Sequence, residues 1–129
     1  MIIHVERISN GVIYGSTHFG SINVKWIGAK PVIDKTYYVE LDIEDTLVWE
    51  QDVMLSCSSE IYNITCDGIT ISLFGVLESV DDDGYSVLRM GDFIIPFLAQ
   101  GNPFCIGSKI EVIIDSIAAY PVNNYFNQY

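Results

Sequence analysis

Ile61-Tyr62-Asn63-Ile64-Thr65-Cys66-Asp67-Gly68-Ile69-Thr70-Ile71-Ser72-Leu73-Phe74 is the stretch that decides the fold class of this chain. Two apolar, β-branched runs flank Asp67-Gly68, and in the second run Ile69, Ile71 and Leu73 face one way while Thr70, Ser72 and Phe74 face the other. A period of two belongs to a half-buried strand, and Asp-Gly suits a type I′ turn because both of its central residues need a positive φ. The stretch reads as a β-hairpin of Ile61–Cys66 and Ile69–Phe74.

The same punctuation continues on both sides. Gly75 interrupts the apparent continuation Phe74–Val80, where a bulge or sharp bend would let a long strand curve around a barrel, and Asp81-Asp82-Asp83-Gly84 closes that strand with a turn. Tyr85–Met90 and Phe93–Leu98 flank Gly91-Asp92 as a second hairpin, with Pro96 expected on an edge or at a bulge because it has no N–H for a ladder. Lys109–Ile117 alternates Ile110, Val112 and Ile114 against Glu111, Ile113 and Asp115 and reads as the final strand. Upstream, Tyr37, Val39, Leu41 and Ile43 share one face of Thr36–Ile43, while Tyr38, Glu40 and Asp42 take the other. Ile2–Ile8 and Val12–Tyr14 meet at Asn10-Gly11 and are followed by Ser21–Ile27. Helix signals are confined to Glu44–Leu55, with Asp45 as an N-cap, and there Leu47-Val48-Trp49 fits a strand equally well. The expectation is one all-β domain over 1–129: an N-terminal β-ribbon over 1–33, a small, partly closed antiparallel β-barrel over 34–122, and a polar-aromatic tail over 123–129. No internal repeat is visible.

A chain of 129 residues with 50% hydrophobic side chains can bury a core without metal or disulfides. Its longest apolar runs, such as Phe93–Leu98, are strand-sized, and nothing near Met1 reads as a signal peptide. Cys57, Cys66 and Cys105 are odd in number and irregularly spaced, which argues against a disulfide framework or zinc cage and predicts buried structural thiols. These features predict a cytoplasmic protein with no membrane contact. The formal charge of −11, from 17 acidic and 6 basic side chains, repels phosphate backbones and attracts cationic partners. It also keeps an apolar β protein soluble. The charge is uneven: Met1–Ile33 holds only Glu6 against Arg7, Lys25 and Lys30, whereas Asp34–Glu60 holds eight acids and Lys35.

Catalytic signals are weak. Asp81-Asp82-Asp83-Gly84 lacks the alternate ligand positions and distal glutamate of a calcium loop and reads as a solvated turn. His4 and His18 have no metal-motif neighbours, and neither a nucleophile elbow nor a phosphate-binding glycine loop occurs. No catalytic residue, metal ligand or cofactor is expected. The carboxylates Glu40, Asp42, Glu44, Asp45, Glu50 and Asp52, with Trp49 among them, form the candidate surface for docking a basic protein. Tyr37, Tyr38, Trp49, Tyr62, Phe74, Tyr85, Phe93 and Phe97 lie in or near expected strands, where most are expected to fill the core. Exposed rings could stack bases, but only Lys35, Arg89 and Lys109 accompany them, which disfavours nucleic acid.

Taken in order, these β pieces from about Thr36 to Val122, one of them bent at Gly75 and the last at Lys109–Ile117, resemble an OB-fold or related Greek-key barrel. The helix usual between the third and fourth strands has no candidate, since Asp81–Gly84 is too short. In general character, a small, acidic single domain without a catalytic motif is also similar to bacterial immunity proteins, and that resemblance implies neutralisation of a cationic toxin. The sequence therefore predicts a non-enzymatic acidic binding protein with a basic protein partner. The alternatives are an OB-like module that binds nucleic acid or another ligand on its barrel face, and a structural subunit that self-associates through the N-terminal ribbon.

Overall fold

The alternating pattern becomes twelve strands in a computed structural model that describes residues 1–122, and the expected tail over 123–129 lies outside the described residues. In chain order the strands are β1 (Ile2–Ser9), β2 (Val12–Thr17), β3 (Gly20–Trp26), β4 (Thr36–Asp42), β5 (Thr46–Val48), β6 (Val53–Leu55), β7 (Asn63–Cys66), β8 (Ile71–Val80), β9 (Tyr85–Met90), β10 (Phe93–Gln100), β11 (Lys109–Ile114) and β12 (Ala118–Pro121). Every described element is a strand. Glu44–Leu55 is β5, a turn and β6, because its apolar residues fit into a sheet between two neighbouring strands.

β1, β2, β3, β12 and β4 form a closed barrel, with β4 returning to pair with β1. The spatial order β4-β1-β2-β3 is that of a Greek key. β12 closes the ring, parallel to β3 and antiparallel to β4. The segment expected as a separate ribbon over 1–33 thus supplies three barrel staves. Its hairpin turns at Asn10 and Gly11, with φ of 51° and 80°, as a type I′ turn needs. Gly15 is required where β2 crosses β1, since a Cβ there would lie 2.7 Å from the His4 carbonyl oxygen.

The second sheet runs β5-β10-β9-β8-β11-β6 and nearly closes on itself. β11-β8-β9-β10 is again a Greek key, and the stretch from β5 to β6 lies in the closing position, parallel to β10 and antiparallel to β11. A tight turn interrupts that closing strand: the backbone N–H of both Gln51 and Asp52 donates to the Val48 carbonyl, and Glu50 has a φ of 70°. Trp49 N–H still donates to the Gln100 carbonyl and Ile113 N–H to the Asp52 carbonyl, so the interrupted strand is held on both edges.

Three local expectations need revision. The bulge in β8 falls between Leu77 and Ser79, not at Gly75. Gly75 instead marks where one edge of β8 changes partner from β7 to β9, and a Cβ there would stand 2.4 Å from the Arg89 carbonyl oxygen. The loop between β7 and β8 is four residues long because Asp67 Oδ1 accepts the N–H groups of Ile69 and Thr70, which leaves Ile69 exposed outside the strand. Finally, β11 is not the last strand: the chain turns after Ile114 and returns to the first barrel as β12.

The second barrel is therefore inserted between the fourth and fifth staves of the first. Buried apolar side chains of both barrels, from Ile3, Ile22 and Leu41 to Leu77, Leu88 and Ile110, form one cluster. A specific joint reinforces it. Thr17 Oγ1 accepts the N–H groups of Phe19 and Gly20 and shapes the β2–β3 turn. That turn offers the Phe19 carbonyl to Ile64 N–H at 2.9 Å and stacks the Phe19 ring edge-on to Tyr62. Tyr62 in turn accepts a 2.6 Å hydrogen bond from Arg89 Nη1, and Arg89 Nε pairs with Glu78 at 3.0 Å.

Candidate acidic groove between the barrels

On β4 the side chains of Val39 and Leu41 are buried and those of Glu40 and Asp42 point outward, as the period of two predicts. The outer face of β4 meets the first half of β10, and there Glu40, Leu41 and Asp42 line one groove with Asp92, Phe93, Ile94, Pro96 and Tyr120. The groove has a volume of about 390 Å³. Three of its lining groups are carboxylates and none is basic. Its floor is apolar, with Ile94 56% exposed and Tyr120 37% exposed. Beside it, the Met1 amino group donates to the Val39 carbonyl, and burial pushes its pKa down to about 5 against the opposing pull of Glu40.

The other residues of the expected surface go elsewhere. Asp45 and Asp52 line a separate depression with Thr46, Leu47, Thr70 and Asp115. One oxygen of Asp52 there accepts the Val48 N–H at 2.8 Å, which ties this carboxylate to the turn. Glu44 pairs with Lys25 of the first barrel at 3.5 Å. Glu50 is exposed on the turn. Trp49 is buried at 4% exposure between Phe97 and Phe104, so it belongs to the core and offers no surface to a partner. Apolar neighbours on both sides of the closing strand draw the indole inward, whereas its charged sequence neighbours stay in the turn.

Nothing in the sequence marks Asp92, Phe93, Ile94, Pro96 or Tyr120 as site residues, since their local roles are ordinary: a turn acid, strand residues and a stray tyrosine. Tyr120 reaches β4 by pairing opposite Glu40 on β12, and Asp92, Phe93, Ile94 and Pro96 reach it where the second sheet packs against the first barrel. Pro96 pairs with Val87 and lies two residues before β10 gains β5 as a parallel partner at Leu98, so its missing N–H costs no bond on the open edge.

Of the eight rings expected mostly in the core, Trp49 and Phe97 are buried and Tyr37, Tyr62 and Phe93 pack against the core half-buried, while Tyr38 and Tyr85 are exposed. The thiols are not buried either: Cys57 and Cys105 are exposed, Cys66 is half-buried, and all three are free. Both exposed cysteines lie in connecting loops, which no core covers. Among the described residues, no group of three histidine, cysteine or acidic side chains is placed to hold a metal ion. Comparisons with protein-family models, with curated proteins and with solved structures find no match to this chain.

Proposed function

We propose that this chain is a non-enzymatic acidic binding protein that engages a basic protein partner. The observation that carries the reading is the segregation of charge. Residues 1–42 and 118–122, which build the first barrel, hold Glu6, Asp34, Glu40 and Asp42 against Arg7, Lys25, Lys30 and Lys35. Residues 43–117 hold the other thirteen acids against Arg89 and Lys109, which accounts for the whole formal charge of −11. A field concentrated on one half steers a cationic partner to that half and orients the encounter. In its most concrete form the protein is an immunity protein that neutralises a cationic toxin in the bacterial cytoplasm, with the carboxylates standing in for the phosphates of the toxin's substrate.

The test is a pull-down from lysate of the source cell at low and at high salt. The expected result is a basic protein captured at low salt and released at high salt. Capture that survives high salt and survives neutralisation of the second barrel's carboxylates would overturn the electrostatic reading.

One observation favours a second reading, ligand binding on the first barrel. Trp26, Tyr37, Tyr38 and Lys30 line a groove of about 1140 Å³ on this neutral half, and the Trp26 and Tyr37 rings meet edge-on with centroids 5.2 Å apart. Aromatic rings beside a cation are the elements of a single-strand stacking platform. Tight binding of single-stranded nucleic acid at physiological salt, lost on Trp26→Ala, would support it over the first.

A further inference from the structure

The open edge of β10 gives the acidic groove a directional feature that the charge field alone lacks. Along Phe93–Leu98 one edge of β10 pairs with β9, while the other edge gains β5 only at Leu98. Alternate residues of an antiparallel strand turn their N–H and C=O to opposite sides, and the two-residue turn Gly91-Asp92 makes Met90 and Phe93 a bonded pair. Ile94 therefore turns its N–H and C=O away from β9. Among the described residues no loop or turn bonds to either group. This peptide, with no partner among the described residues, thus borders a groove with an apolar floor of Ile94, Pro96 and Tyr120, and with Glu40, Asp42 and Asp92 around it.

We propose that this groove docks an extended segment of the basic partner, in which lysine or arginine alternates with apolar residues, added along the open edge of β10 beside Ile94. The proposal rests on the reading above and deepens it. A period of two sends successive side chains to opposite sides, so such a segment sets its cations against the three carboxylates and its apolar side chains on Ile94 and Tyr120. Pro96 limits the added pairing to the first part of β10, since no donor follows Ile94 on that edge until Leu98. Charge complementarity selects the partner: among the described residues no basic side chain lines the groove, and Glu40, Asp42 and Asp92 make no ion pair with a lysine or arginine.

The test uses the full chain and two synthetic peptides of equal lysine content, one alternating lysine with valine and one alternating lysine with glycine. Two variants remove the same charge, E40Q/D42N/D92N in the groove and D81N/D82N/D83N in the exposed β8–β9 turn. The lysine-valine peptide is expected to bind about tenfold more tightly than the lysine-glycine peptide. The groove variant is expected to weaken it by about tenfold and the turn variant by less than about twofold. The amide resonance of Ile94 should shift and gain exchange protection on binding. Unchanged thermal unfolding of both variants separates lost binding from lost folding. Equal weakening by the two variants, or equal affinity for the two peptides, would overturn the groove while leaving a diffuse electrostatic partner surface standing. Failure of both peptides to bind at low salt would overturn the groove and the acidic-binding reading together.

Discussion

The first barrel, β1 to β4 with β12, carries four acidic and four basic side chains, whereas residues 43–117 of the second carry thirteen acidic and two basic ones. The strand arrangement is nevertheless the same in both: a Greek key whose fifth stave runs parallel to the third strand and antiparallel to the fourth. The first strand of each key carries a bulge beside an exposed glutamate, between Val5 and Arg7 in β1 and between Leu77 and Ser79 in β8. The barrels differ in where the closing stave comes from. In the first it is the last described strand; in the second it precedes its key and is broken by the Val48–Val53 turn. Inward-facing apolar residues fix the barrel, and outward positions are left free to carry any charge. A neutral half and a strongly acidic half can thus share one architecture and one core.

The largest expected effects test whether the two halves unfold as one. Ile22→Ala in the first barrel and Leu88→Ala in the second each remove a fully buried side chain and should each cost about 2–5 kcal/mol. Trp26 lies in the first barrel and Trp49 in the second, so single-tryptophan versions report each half separately. If the shared cluster couples the barrels, either truncation lowers both fluorescence transitions together. Separate midpoints would break the picture of a single cooperative unit.

Next is the joint. Gly20 has a φ of 144°, and a Cβ there would fall 2.1 Å from the Ile64 carbonyl oxygen across the interface. Gly20→Ala should therefore destabilise the protein by about 1–3 kcal/mol and uncouple the two tryptophan signals more than Gly11→Ala, where a Cβ meets open space. Denaturant unfolding of both variants makes the comparison.

A smaller effect belongs to the charge contact between the halves. Lys25 and Glu44 are both substantially exposed at 3.5 Å, so Lys25→Ala should cost less than about 1 kcal/mol, and raising the salt should erase the difference. The smallest effect concerns Asp67. The N–H groups of Thr70 and Ile69 hold its carboxyl below the ordinary aspartate pKa. A depressed pKa means that the unfolded chain takes up the proton first, so the contribution is complete above the unfolded pKa and disappears as the pH falls through the folded one. Asp67→Asn keeps an oxygen acceptor for the loop but removes this acid dependence, and stability measured from pH 7 down to pH 2 should converge with the parent at the acid end.

Much of the fold was legible because short-range chemistry dictates it. Asn10-Gly11 and Gly91-Asp92 each make a two-residue hairpin turn, and Val39 and Leu41 point inward opposite Glu40 and Asp42. Asp67-Gly68 predicts a two-residue loop, but the Asp67 side chain captures two N–H groups and the loop is four residues long. The acidic site was half legible. The period of two places Glu40 and Asp42 on one outward face, but Asp92 comes to them from the β9–β10 turn and Tyr120 from β12, both far along the chain, and the charged sequence neighbours of Trp49 suggest a surface that its aromatic spatial neighbours deny.

By itself the sequence determined an all-β chain, its principal strands and turns, and the local density of its charge, because alternation, turn residues and composition act within a few residues. The tertiary structure alone decided that residues 1–33 supply staves of a closed barrel, that a second, nearly closed sheet is inserted in the chain between two of those staves, and that three carboxylates from β4 and the β9–β10 turn share one groove. Those outcomes depend on which strand edges meet across the whole chain. Edge pairing is backbone chemistry common to every residue, so side-chain order leaves it unspecified until the core closes.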